Sequence, residues 1–177
     1  MIAMNVERWL LLSVWVVCLP ALFFGIAKER RREMVFAFLL NQTYTWTMSL
    51  VLVESGAAAN PVREFVRASG SNFSFNFILY PAVAVFYALY VPKGLWRNAV
   101  QLAAYLAGLA LFTWVVSTYT RLIDFRNMGW LLRVLVYGSG LVSARIGYMW
   151  FFGRGVFGAK EVADGASLAR YDSSDGV

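Results

Sequence analysis

The sequence contains no histidine, so the side chain that most often serves as general base, neutral metal ligand or pH switch near neutrality is missing. Cysteine occurs once, at Cys18, which excludes an internal disulfide and any multi-thiolate metal centre. Charge is scarce as well. Only 15% of the residues are Asp, Glu, Lys or Arg, against roughly 25% in soluble proteins, so little water-facing surface is furnished. Phosphate-binding glycine loops, paired metal ligands and a nucleophile with its base are absent at recognisable spacing. No cofactor or metal is expected, and the chain does not read as an enzyme.

What fills the sequence is apolar. Hydrophobic residues make up 60% of the 177 residues, against about 45 to 50% in soluble domains, and the mean hydropathy of +0.59 excludes a soluble globular domain. Apolar segments fall at 9–27, 34–53, 73–91, 99–119 and 130–152. Each is long enough to cross a hydrocarbon core about 30 Å thick, the third only marginally. Unpaired backbone is prohibitive in lipid, so these segments should be helices. The expected fold is all-α, a five-span membrane bundle at 1–152, followed by a disordered cytoplasmic tail at 153–177 that is rich in Gly, Ala, Ser and Asp.

The first segment invites a second reading. Gly25-Ile26-Ala27 resembles a small-residue cleavage site. A signal peptide carries its positive charge before the apolar run, however, and here Lys28, Arg30, Arg31 and Arg32 follow it while only Arg8, offset by Glu7, precedes it. A retained first span with an outside N-terminus is expected. With that orientation the cytoplasmic side receives those four cations plus Lys93, Arg97, Arg154, Lys160 and Arg170, and the outer side Arg8, Arg63, Arg67, Arg121 and Arg126, nine against five. The bias favours N-out, C-in. The net charge of +6 then reports orientation and contact with anionic membrane lipids, and not nucleic acid.

Between the second and third spans, Asn60-Pro61 reads as a helix start, because asparagine caps free amides and proline at the first helical position sacrifices no bond. A short amphipathic outer helix follows from it, lying in the headgroup layer, with Arg63 and Arg67 one turn apart. A sharper reading groups Glu54, Arg63, Glu64 and Arg67 as an outer polar site for an anionic or zwitterionic ligand. Within the second span, Asn41, Gln42, Thr45 and Ser49 either hold neighbouring helices or line a polar cavity. Arg133 and Arg145 of the fifth span are intramembrane cations. Arg133 is placed to snorkel or to pair with Asp124 or Glu54, and Arg145 to snorkel inward past Tyr148. Ser139, Ser143 and Gly147 recur at every fourth position there, matched by Ala103, Ala107 and Ala110 in the fourth span. These rows should pack the two helices together or form a face for a homo-oligomer or partner membrane protein.

The segments Asn41 to Trp46, Val53-Glu54, Pro61-Val-Arg-Glu-Phe65, Ser71 to Asn76 and Tyr80-Pro81, with Ser143-Ala144-Arg145 and Trp150-Phe151-Phe152, resemble a family of small multi-span membrane proteins of spore-forming Gram-positive bacteria named after a Clostridium botulinum locus. Pro-Val-Arg-Glu-Phe is the most specific part. The resemblance implies a bacterial plasma-membrane protein with a part in sporulation or envelope upkeep, and it supplies no mechanism. Asn76 stands where that pattern leads one to expect an acidic residue. The leading expectation is a non-enzymatic component that binds a partner or lipid through the outer 61–65 region. A solute or ion path lined by the second-span polar row and Arg145, and a lipid-headgroup enzyme around Glu54, Glu64 and Arg67, are the alternatives.

Overall fold

A computed structural model describes residues 2–65, 70–92, 94–125 and 128–153. The chain is all-α. Helix α1 spans Ile2–Gly25, a single 3-10 turn covers Lys28–Arg30, and α2 runs Arg31–Glu54. A π-helical segment, Phe75–Leu79, leads without a break into α3, Tyr80–Leu89; α4 is Leu95–Tyr119 and α5 Trp130–Phe152. The boundaries at 119, 130 and 152 coincide with the expected ones. Gly153, at φ 62°, ends α5 in the left-handed conformation that a side chain would resist.

Contacts between helix ends fix an up-and-down arrangement. The Glu7 carboxylate, early in α1, accepts the Arg121 N–H just beyond α4. Ala59, beyond α2, pairs with Asp124 in an antiparallel bridge, the only β-pairing among the described residues. At the opposite end Arg30 donates to the Leu89 carbonyl that closes α3. Helices α2, α3 and α5 pack on one another, α1 lies along the π segment, and α4 covers α5 and α3. The centre is α3, with Ala82, Ala84, Val85, Tyr87, Ala88 and Leu89 all buried. Helix α1 contributes Leu11, Val14, Cys18 and Leu22, a stripe at three- and four-residue spacing, to the same core.

The interior is unusually polar and the exterior unusually apolar. Glu7, Glu33, Asn41, Asn72, Asn76 and Arg145 are buried, while Trp96 and Trp150 are 79% and 81% exposed. An aqueous protein does not carry apolar exposure of this extent without a partner phase. Two helical stretches, Val6–Gly25 and Leu95–Tyr119, are long and apolar enough to cross a bilayer, and Phe75–Leu89 is apolar but shorter. Helices α2 and α5 have 24 and 23 residues, about 35 Å of rise. Their polar side chains dilute them.

Two expectations are corrected. Residues 60–65 form bends and no helix, because their polar groups are committed elsewhere: Asn60 Nδ2 donates to the Gly70 carbonyl, and the Ala59 and Val62 N–H groups bond to Asp124 and Arg121. These bonds hold the segment against the 121–124 loop instead of letting it coil. Helices α4 and α5 pack together as expected, but the small-residue row of α5 meets α2 and not the alanine row of α4. A side chain on Gly140 would meet the Tyr44 ring, and one on Gly147 would meet Leu40. Ala103 and Ala107 of α4 stay exposed. The remaining positions of the expected outer helix, with Arg67, and the tail at 154–177 lie outside the described residues.

Candidate functional site

Asn41, Thr45 and Ser49 stand four residues apart and so form one stripe of α2. Asn41 Nδ2 donates to the Gly140 carbonyl of α5 at 3.0 Å. The close approach depends on glycine, since a Cβ at 140 would lie 2.7 Å from Tyr44 Cε1. The same tyrosine fastens the two helices, its hydroxyl reaching the Val136 carbonyl at 3.0 Å and Ser139 Oγ at 2.5 Å.

Thr45 answers a defect created by proline. In the π register the carbonyl at position i is bonded by the N–H at i+5, as Tyr80 N–H does to Phe75 O. The next carbonyl, Asn76 O, would require an N–H at position 81, and Pro81 has none. Thr45 Oγ1 donates to that carbonyl at 3.0 Å. The Asn76 side chain donates in turn to Ser49 Oγ at 2.9 Å. The polar residues of the second apolar run therefore hold neighbouring helices, as one of the two readings of them expected.

They also border a partly open cleft of about 100 Å³. Its walls come from α2, the π segment, α3, α4 and α5, and its rim from Ala58, Asn60, Asn72, Ile123, Phe125 and Met128 in the adjoining loops. Among the described residues, no Asp, Glu, Lys or Arg lines it. Two polar atoms at its border, Asn41 Oδ1 and Asn72 Nδ2, are buried without a hydrogen-bond partner, and each residue is only 2% exposed. Which atom of each amide is the oxygen follows from the backbone. Asn41 must present nitrogen to the Gly140 carbonyl, and Asn72 must present oxygen to the Phe75 N–H at 3.2 Å.

The remaining expected site residues are dispersed. Gln42 is half-buried and outside the cleft lining. Glu54 is exposed at the end of α2. Both carboxylate oxygens of Glu64 accept N–H groups at the start of the third helix, from Ser74 and Phe73, each at 3.0 Å. This is an anionic cap on a helix N-terminus. Arg63 Nη1 donates to the Asn60 carbonyl. The Arg133 guanidinium lies 3.9 Å from the Phe125 ring centroid and 5.0 Å from that of Trp130, with Nε on the Met128 carbonyl. Arg145, 6% exposed, points to the other end of the bundle. It donates to Asn98 Oδ1 at 2.6 Å and Gln101 Oε1 at 3.4 Å, over the face of Tyr87. The route expected past Tyr148 is taken instead toward the first turns of α4.

No family model matches the chain, and neither a curated protein nor a solved structure does. The residues themselves must carry the reading.

A second polar cluster, not anticipated, lies at the Arg30 end. Arg30 Nε bridges to Glu33 Oε2 at 2.9 Å, and the Tyr148 hydroxyl donates to the same oxygen at 2.8 Å. Burial alone pulls the Arg30 pKa down, but hydrogen bonds to Tyr148 and Glu33 and the Glu33 charge outweigh it, and the net shift is upward. The cluster joins the first loop, α2, α3 and α5. Arg30 and Glu33 are a local pair three residues apart, but Tyr148 joins them from the far end of the chain, so no local spacing announces the cluster. Asn72 was also missed, although an asparagine just before an apolar run is a recognisable cap signal.

Proposed function

We propose that this chain is a multi-pass protein of the bacterial plasma membrane in which all five helices cross, the N-terminus outside and the C-terminus inside. It acts without catalysis, binding a membrane lipid at its outer rim. The inversion of polarity supports the membrane reading: a belt of exposed Trp, Phe, Leu and Val surrounds buried asparagines and carboxylates. In a bilayer Asn41, Thr45 and Ser49 of α2 bond to neighbouring helices, while the exposed Thr43 and Thr47 bond carbonyls of their own helix.

The observation that carries the binding reading is the cleft under Ala58, Asn60, Ile123, Phe125 and Met128, two of whose lining residues carry buried, unpartnered amide atoms. The 61–65 segment follows the rim residue Asn60 and is held by Val62 N–H bonded to Arg121 O and by Glu64 capping the third helix, without lining the cleft itself. A solute path has less support, since Arg145 and Gln42 do not line the cleft. For a headgroup enzyme, Glu64 would have to surrender its helix cap.

The full chain purified in mild detergent should retain lipid detectable by mass spectrometry. Ala58→Trp, which fills the rim from a loop position whose N–H bond is backbone only, should release most of it with unchanged helicity. Retention unaffected by that substitution would place bound lipid elsewhere and defeat the reading.

A further inference from the structure

The cleft presents one hydrogen-bond acceptor and one donor with nothing to satisfy them. Asn41 Oδ1 can only accept, and Asn72 Nδ2 can only donate. Leaving such a buried group unmade costs about 1–3 kcal/mol, so two at one cleft are a recognition feature that needs a complementary guest. A hydroxyl group meets either need, because it donates and accepts through one oxygen, and a guest with hydroxyls at more than one position can address Asn41 and Asn72 at their different levels of the bundle.

Charge finds no partner among the described residues of the lining. Their polar side chains are amides and hydroxyls, with Met, Leu, Val, Ile and Phe between them, and no ionisable acid or base apart from tyrosine. A phosphate or ammonium placed here would lose its hydration with no counter-charge in the lining. The volume of about 100 Å³ lies well above the roughly 10–15 Å³ that one water requires and below the roughly 150 Å³ of a cavity that takes benzene. It suits a group of about half a dozen heavy atoms. Glycerol and its monoesters present such a group, with neighbouring hydroxyls on a short carbon chain.

We infer that the cleft bounded by Asn41 and Asn72 is a binding site for an uncharged, hydroxylated group of glycerol size. It is supplied by a neutral glycerolipid or by a free polyol. This rests on the outer-rim lipid reading and specifies its chemistry. Asn41 accepts a hydroxyl proton while Asn72 donates to a hydroxyl oxygen, and the acyl chain of a lipid leaves through the open side of the cleft.

The test uses a matched pair of photoactivatable lipids on the full chain in detergent. One is a monoacylglycerol with a diazirine in its acyl chain. The other is the corresponding lysophosphatidic acid, identical except for the charged phosphate. The monoacylglycerol should label peptides of the cleft saturably, at least tenfold more tightly than the phosphate. Asn72→Asp keeps the oxygen that caps Phe75 and replaces the free donor with an acceptor, so it should weaken that labelling at least tenfold; because a buried carboxylate costs stability, its folding is checked by unchanged helicity. Free glycerol at molar concentration is the second arm. If glycerol protects the cleft and the lipid does not label it, the chemistry stands, the source is a soluble polyol and the lipid reading falls. Equal labelling by both lipids, insensitive to Asn72→Asp, overturns the inference and leaves lipid binding in place. Absence of cleft labelling and of glycerol protection overturns both, and this wild-type comparison holds even if the variant does not fold.

Discussion

At the residue scale, the least conspicuous events decide how the helices meet. Pro81 removes one donor, and the consequence appears across the bundle, where Thr45 supplies the missing hydrogen to Asn76 O. The two residues should therefore be energetically coupled. Thr45→Val strands a carbonyl at a helix interface and should cost about 1 kcal/mol, within the range of polar contacts between membrane helices. In a Pro81→Ala background the restored N–H satisfies Asn76 O by itself, and the same substitution should cost close to nothing. Reversible unfolding of the four proteins in mixed micelles measures the cycle. Equal costs in both backgrounds would show that Thr45 owes nothing to the proline. The sequence announced that Asn41 and Gln42 should turn inward, because amides are costly to leave in lipid; Asn41 does, whereas Gln42 is only half-buried. It did not announce the partners of Asn41 and Thr45. A backbone carbonyl has no signature in a sequence, and the π register that exposes this one depends on tertiary contacts. Glu64 shows the same limit from the other side. Its charge invited a ligand role, whereas the free amides of a helix start nine residues later had the first claim on it.

At the element scale, the boundaries of α4 and α5 follow from where apolar residues stop, and they were legible at 119, 130 and 152. Which helix faces which was not. Small residues at every fourth position of α5 predict a close neighbour, and the matching alanines of α4 pointed to that helix. The structure chooses α2 because Tyr44 and Asn41 have polar ends to satisfy on the exposed carbonyls of α5, Val136 and Gly140, whereas Ala103 and Ala107 of α4 have none. The outer helix failed for a comparable reason, its N–H groups being taken by the 121–124 loop. Gly140 and Gly138 provide a matched test of the chosen face. Gly140→Ala drives a methyl against Tyr44, which must give up its bonds to Val136 and Ser139, and should destabilise the bundle by about 1–3 kcal/mol. At Gly138 the nearest atom is Leu106 Cδ2 at 3.8 Å, an ordinary contact. Gly138→Ala should be neutral or gain up to about 1 kcal/mol from helix propensity. Detergent unfolding of both variants tests the assignment, and similar effects at the two positions would refute an α2-facing seam.

At the scale of the whole molecule, two polar ends are separated by an apolar belt, and the ends differ in kind. One holds the cleft and its loops, with the Glu7 and Glu64 carboxylates accepting backbone N–H groups. The other holds the Arg30–Glu33–Tyr148 cluster and the buried Arg145. In the proposed orientation the second end stays in the cytoplasm, which the basic loop Lys28, Arg30, Arg31 and Arg32 favours. Cys18 is the lone cysteine and is buried, so Cys18→Ala gives a cysteine-free background for locating each end. Ser55→Cys sits at an exposed position beyond α2, and Glu29→Cys is exposed in the first loop. Choosing Glu29 over a neighbouring lysine or arginine leaves the cationic signal intact, since acidic residues contribute little to it. A membrane-impermeant maleimide should label position 55 in intact cells and position 29 only after permeabilisation. The opposite pattern would turn the cleft to the cytoplasm, where its lipid would come from the inner leaflet. Labelling of both sites in intact cells would mean that the two ends do not lie on opposite sides of a membrane, and the five-span reading would fall with the orientation.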